Sequence, residues 1–241
     1  MTAIVTLSLN STIDGFATAG AIRPLRKIRT TGEHCHAGGG GIIVARVIGK
    51  LGCHARVIHL ARGPTRQILD DLLTRAKIDA ARVAIAGTTR IAHTVFERVS
   101  GLEYRLTPEG SETSGEEWQN CLTALDGLEF DVLVVSGGLP VDAYYRVIDI
   151  AALKNARVVH DTSGPAQEAA APELVEAGSA EAAMTVAIVN RWSLHAALDY
   201  GVAAGAAAVI APNDGGCRAV DVERRYAASR ATRATFARWK R

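Results

Sequence analysis

Gly38-Gly39-Gly40-Gly41-Ile42-Ile43-Val44-Ala45-Arg46-Val47-Ile48-Gly49-Lys50-Leu51-Gly52 is the stretch around which the chain is organised. Four consecutive glycines enter a segment whose apolar residues Ile43, Val47, Ile48 and Leu51 recur at helical spacing, so a helix with one buried face is expected. Gly52 is a natural stop for it. Glycine has no Cβ, which lets backbone N–H groups approach a ligand, and the first turn of a helix carries partial positive charge. An anion or a row of hydroxyls suits such a place. The plainer reading is a turn that merely opens a helix, and the residues on either side choose between the two.

Upstream, Ala3 to Leu9 is β-branched and apolar and is expected to be a buried first strand. It ends in the polar turn Asn10 to Gly15, beyond the carboxyl end of a strand, where open α/β sheets place ligand groups. Phe16 to Ile22 and Lys27 to Cys35 read as a small hairpin outside the main sheet. Downstream, strands at Ala55 to Leu60, Arg82 to Ala86, Asp131 to Ser136 and Ala156 to His160 alternate with helices at Pro64 to Ala76, Ser114 to Leu125 and Ala143 to Leu153. Ser114 is the expected N-cap of its helix, with Glu116 and Glu117 in the first turn. Thr89 to Val99 and Glu103 to Leu106 form a second hairpin. The alternation implies an α/β three-layer sandwich with right-handed crossovers. After Asp161 to Gly164 it stops. Helices are expected at Pro165 to Ala177, Ala180 to Asn190, Ser193 to Ala208 and from Val220 to about Arg233, with Ala206 to Ile210 as a rival strand.

Bulk properties exclude several classes. With 241 residues, 48% hydrophobic and 22% charged, the chain has ample core for one large domain. A net charge of +2 makes no case for nucleic acid or membrane as partner. Cys35, Cys53, Cys121 and Cys217 lack CxxC spacing and read as reduced thiols. Met1 to Asn10 has no basic leader, and no uninterrupted apolar run reaches the ~18 residues of a membrane span. A cytoplasmic protein is the expectation.

The residues resemble the PfkB carbohydrate kinases, of ribokinase-like fold, and within them the branch acting on fructose and tagatose phosphates. The matching pieces are Thr6 to Asn10 through Asp14, Lys27 with Arg29, Gly38 to Ile42 with its helix, Thr89-Arg90, and Tyr104-Arg105. Ser136 to Pro140, Asp161 to Gly164, Met184-Thr185 and Tyr200 to Gly205 continue the series in order. The resemblance implies a three-layer α/β/α domain with a small β lid (hairpins at about residues 16–35 and 89–106), abbreviated toward its C-terminal side. It also implies ATP and Mg²⁺ as cofactors and a phosphorylated hexose as substrate. Asp14 would accept hydrogen bonds from sugar hydroxyls, and Gly39 and Gly40 would let the backbone lie against the sugar. Lys27, Arg29, Arg90 and Arg105 would hold the sugar's phosphate, and Ser136 and Gly138 would line the same cleft. The lid would pair with a second copy.

Three departures accompany the resemblance. The asparagine that follows GGGGI in the family is Ile43 here. The family's GAGD, whose aspartate is the general base, is replaced by Ala177-Gly178-Ser179-Ala180-Glu181, with Glu181 displaced along the helix. Between about residues 165 and 180, strand–helix units carrying the ATP loop are missing. The expected activity is therefore weak or absent, with no catalytic residue assigned and a non-catalytic sugar-phosphate-binding or dimerisation module as the alternative. His34-Cys35-His36 has no second ligand pair at zinc spacing, so no metal site is expected. His160 reads as a cleft-edge residue. The basic tail Arg230 to Arg241 reads as a solvated helix rather than an RNA contact.

Overall fold

The computed structural model describes residues 3–136, 141–161, 178–210 and 217–228. A five-stranded parallel sheet has the order β5-β4-β1-β8-β9, with β1 (Ile4–Ser8) at its centre, β4 (Ala55–Leu60) and β5 (Asp79–Val83) on one side, and β8 (Val132–Ser136) and β9 (Arg157–Asp161) on the other. β1 is buried throughout because both its edges and both its faces are covered, as its unbroken apolar and Thr/Ser sequence allows. On one face α1 (Gly40–Lys50) and α2 (Thr65–Arg75) pack with α5 (Gly178–Val189), α6 (Leu194–Ile210) and a helix over 219–228, α7. The other face is covered by α3 (Gly115–Asp126) and α4 (Val141–Leu153). This is the expected three-layer α/β sandwich.

A second sheet of four strands stands apart, in the order β3-β2-β6-β7: β2 (Thr12–Ala19), β3 (Thr30–Gly38), β6 (Arg90–Glu97) and β7 (Glu103–Leu106). The two expected hairpins are its halves. What joins them is a parallel β2·β6 ladder from Thr12 opposite Arg90 to Ala19 opposite Glu97. This pairing also moves the start of β2. Asn10 to Gly15 was expected to be a turn, yet Thr12 to Gly15 are strand, anchored by Ile13 at 1% exposure. Turn-forming side chains were overridden by two neighbours' hydrogen bonds.

Other boundaries move for similar reasons. β5 covers Asp79 to Val83 rather than Arg82 to Ala86, because its register is set by β4 from Arg56 opposite Asp79; Ile85 is buried without being strand. Ala206 to Ile210 is the last part of α6 and not a strand, in keeping with its alanine content. α3 begins as expected at Ser114, and Glu117 completes a reciprocal capping box that the Ser-x-x-Glu spacing encodes. α1 ends at the expected place, with Leu51 as cap and Gly52 at φ 84°. Its buried side is wider than a single stripe. Ile42, Val44, Ala45, Val47 and Ile48 are enclosed because the helix lies between the sheet and α5, and Ile43 is only half-buried. Enclosing Ile48 fully contributes about 1.5–3 kcal/mol.

The carboxyl ends of the strands form a polar row in register: Ser136, Ser8, His59 and Arg82. His59 is 1% exposed, and burial lowers its pKa to about 4, more than Asp70 opposes it. An imidazole held neutral in the folded state keeps its full contribution above the ordinary pKa, and that contribution is lost as pH falls toward about 4. Thermal unfolding followed between about pH 7 and pH 4 should therefore show falling stability that His59→Leu flattens. An unaltered slope in the variant would contradict this.

Candidate functional site

The site is built where the second sheet meets the carboxyl end of the first. The four glycines are there because side chains and backbone occupy the space where their Cβ atoms would be. A Cβ on Gly38 would lie 2.0 Å from Asp14 Oδ2, and one on Gly39 would lie 2.7 Å from Ser8 Oγ. On Gly40 it would lie 1.7 Å from Ser136 Oγ, and on Gly41 2.7 Å from the Leu7 carbonyl oxygen. Gly39 also holds φ at 103°, which an L side chain rarely adopts. The run therefore brings Asp14, Ser8 and Ser136 against the first turn of α1. At Gly39 and Gly40 the space a Cβ would take is held by the Ser8 and Ser136 hydroxyls, so these two positions require glycine for packing within the protein itself. Gly39 caps α1 without any side-chain hydrogen bond to the helix's first N–H groups.

Asp14 is half-buried on β2. Burial raises its carboxyl pKa; Arg46 of α1 opposes this most, followed by the Thr12 hydroxyl and Arg90. Arg46 Nη1 donates to the Ala37 carbonyl at 3.2 Å, which ties α1 to the end of β3. Arg90 donates through Nη1 to Pro108 O at 2.9 Å and through Nη2 to Asn10 O at 3.4 Å. Its Nε is enclosed with no hydrogen-bond partner among the described residues. Burial lowers the Arg90 pKa and the nearby Asp14 carboxylate raises it. The loop after β7 closes this corner, with a Cβ on Gly110 placed 2.1 Å from Asn10 Oδ1.

The structure thus brings together Asp14, Gly39, Gly40, Arg90 and Ser136 of the expected residues. Lys27 and Arg29 are exposed ahead of β3. Arg105 is exposed on β7, with its Nε 2.7 Å from Glu103 Oε1. Among the described residues, no hydrogen bond or ion pair joins these three to Asp14. Gly138 lies outside the described residues, as do the segment at 165–177 and the basic tail. Arg46 was missed, although a single cation inside the apolar run Ile42 to Ile48 was its signal. At the start of α5, Glu181 is 3% exposed. Cys35, His34 and His36 belong to no group of three or more metal-ligating side chains among the described residues.

No family model matches the chain. It is 28% identical to the ATP-dependent 6-phosphofructokinase isozyme 2 of Mycobacterium tuberculosis, over 92% of this chain and 88% of that one. The corresponding isozyme of Escherichia coli is 32% identical over 79% of this chain and 64% of its own length. Its homologues are PfkB-family phosphofructokinases. The Escherichia coli phosphofructokinase-2 structure with fructose-6-phosphate superimposes with a TM-score of 0.83, covering 94% of this chain and 99% of that one at 24% identity. That likeness establishes the ribokinase-like PfkB fold. The chain is shorter than these PfkB homologues. The Mycobacterium alignment runs over 298 positions, more than the 241 residues present, so the relative holds segments with no counterpart here.

Proposed function

We propose that this PfkB homologue binds a phosphorylated hexose, with fructose 6-phosphate as the reference ligand, and that its ATP-dependent phosphoryl transfer is weak or absent. The observation that carries the reading is the convergence of Asp14 with Arg46 and Arg90 beside the N-terminal end of α1, whose first N–H groups no side chain caps. A carboxylate accepts from vicinal hydroxyls, while cationic forks and helix N–H groups match phosphate oxygens. The two arginines lower the cost of keeping a buried carboxylate ionised, so Asp14 stays an acceptor.

Weak catalysis is supported at the start of α5. The resemblance puts the general base at the start of α5, where position 179 is serine. Glu181, two residues further along α5, is enclosed in protein. Thr185 Oγ1 is enclosed as well, without a hydrogen-bond partner among the described residues. These residues do not fit an Mg-ATP site, because phosphoryl transfer depends on exact positioning of exposed acids and donors. Incubation with MgATP and fructose 6-phosphate should release ADP far below the about 1–100 s⁻¹ of ordinary kinases. Turnover in that range would overturn this part of the reading.

The lid supports a homodimer. Val99 and Leu102 at the β6–β7 turn are 80% and 58% exposed, and Leu106 at the other end of the edge strand β7 is 63% exposed, apolar side chains along one edge that a second copy would cover. Light scattering on the full chain should give the mass of two copies, and Leu106→Glu should reduce it to one. A monomer in the unaltered protein would contradict the pairing.

A further inference from the structure

Three rings stand together on the lid. Phe16 of β2 stacks on His34 of β3 with centroids 5.2 Å apart and 12° between planes. His36 approaches Phe16 at 5.7 Å and meets His34 edge-on at 5.3 Å. Strand register explains the grouping: His34 lies opposite Phe16, and His36 lies opposite Asp14. Alternate residues share a face, so the rings and the Asp14 carboxylate are on one side of the sheet.

That face has a definite charge arrangement. The row of His34 and Phe16 continues through Thr94 of β6 to Arg105 of β7, and the row of Thr12 ends at Arg90. From α1, Arg46 reaches Ala37, the residue after His36. Acidic groups are fewer. Asp14 is opposite His36, Glu103 holds Arg105, and Glu33, beside His34 in the chain, is occupied by the Thr30 hydroxyl at 2.7 Å.

We propose that His34 and His36 are specificity-determining residues of the hexose-phosphate site, adding positive charge toward the phosphate ester when protonated and making affinity for it depend on pH. This rests on the hexose-phosphate reading above. Imidazole is the side chain whose charge changes between about pH 5 and pH 8. A cationic ring facing a phosphate dianion across a partly wetted cleft is worth several-fold in affinity, and a neutral sugar gains nothing from it.

The test is calorimetric titration of the full chain with fructose 6-phosphate and with fructose at about pH 6 and pH 8. It compares the unaltered protein with the double variants His34→Gln/His36→Gln and His34→Phe/His36→Phe, whose melting temperatures verify folding. The ester's own titration is common to all three and cancels. The ratio of affinities for fructose 6-phosphate at the two pH values should be about three- to tenfold greater in the unaltered protein than in either variant. An equal ratio in all three overturns the proposal. So does a loss of the ratio in the glutamine variant alone, which would assign it to the rings and not their charge. If the unaltered protein binds no fructose 6-phosphate at either pH, the hexose-phosphate reading itself fails.

Discussion

Gly41→Ala should melt about 2–10 °C below the unaltered protein, a loss of about 1–3 kcal/mol. The added methyl would lie 2.7 Å from the Leu7 carbonyl oxygen, 2.8 Å from the Leu7 carbonyl carbon and 3.0 Å from the Ser8 amide nitrogen. These are backbone atoms of the central strand, so no side-chain rotation relieves the contact. Thr6 tightens the same junction by donating its hydroxyl to the Gly41 carbonyl at 2.9 Å. Helix propensity alone predicts the opposite sign, since alanine is favoured over glycine by about 1 kcal/mol within a helix. Gly49, in the same helix, separates the two effects. A Cβ there meets nothing within 4 Å, so Gly49→Ala should leave the melting temperature unchanged or raise it. Differential scanning calorimetry on the two variants decides, and equal behaviour would refute the account of the glycine run.

Asp14→Asn should weaken fructose 6-phosphate binding by about 10- to 150-fold, the cost of losing charged hydrogen bonds to hydroxyls. Its effect on stability should have the other sign. Burial raises the Asp14 pKa, so ionisation is harder in the folded chain than in the unfolded one, and stability through this group falls as pH rises past the carboxylate range. Removing the charge should leave the melting temperature at neutral pH unchanged or higher. A residue whose loss ruins binding while sparing the fold is retained for a ligand. A drop in stability with unaltered binding would make Asp14 structural.

How much of this was legible beforehand differs by level. The central strands were plain because Ile4 to Ser8 and Val132 to Ser136 are apolar runs buried on both faces. The α3 cap was legible for a local reason, since Ser114 and Glu117 satisfy each other's backbone within four residues. The β2·β6 ladder was not. It joins residues 78 apart in sequence, and nothing in Thr12 to Gly15 announces a strand that borrows its order from Arg90 to His93. Asp14, Arg90 and Ser136 were recognisable through the resemblance, whereas Arg46 becomes visible only when α1 is folded against Ala37. The reason for the glycines was also hidden. In sequence they suggest close approach of the backbone to a ligand; the fold adds that their missing Cβ atoms let Asp14 and Ser136 reach the first turn of α1.

The most direct test of the hexose-phosphate site is calorimetric titration of the unaltered chain and Asp14→Asn with fructose 6-phosphate at neutral pH. Saturable binding of one ligand per chain, weakened at least about tenfold in the variant, is the predicted result. Binding that is absent from the unaltered protein, or equal in both, would contradict it.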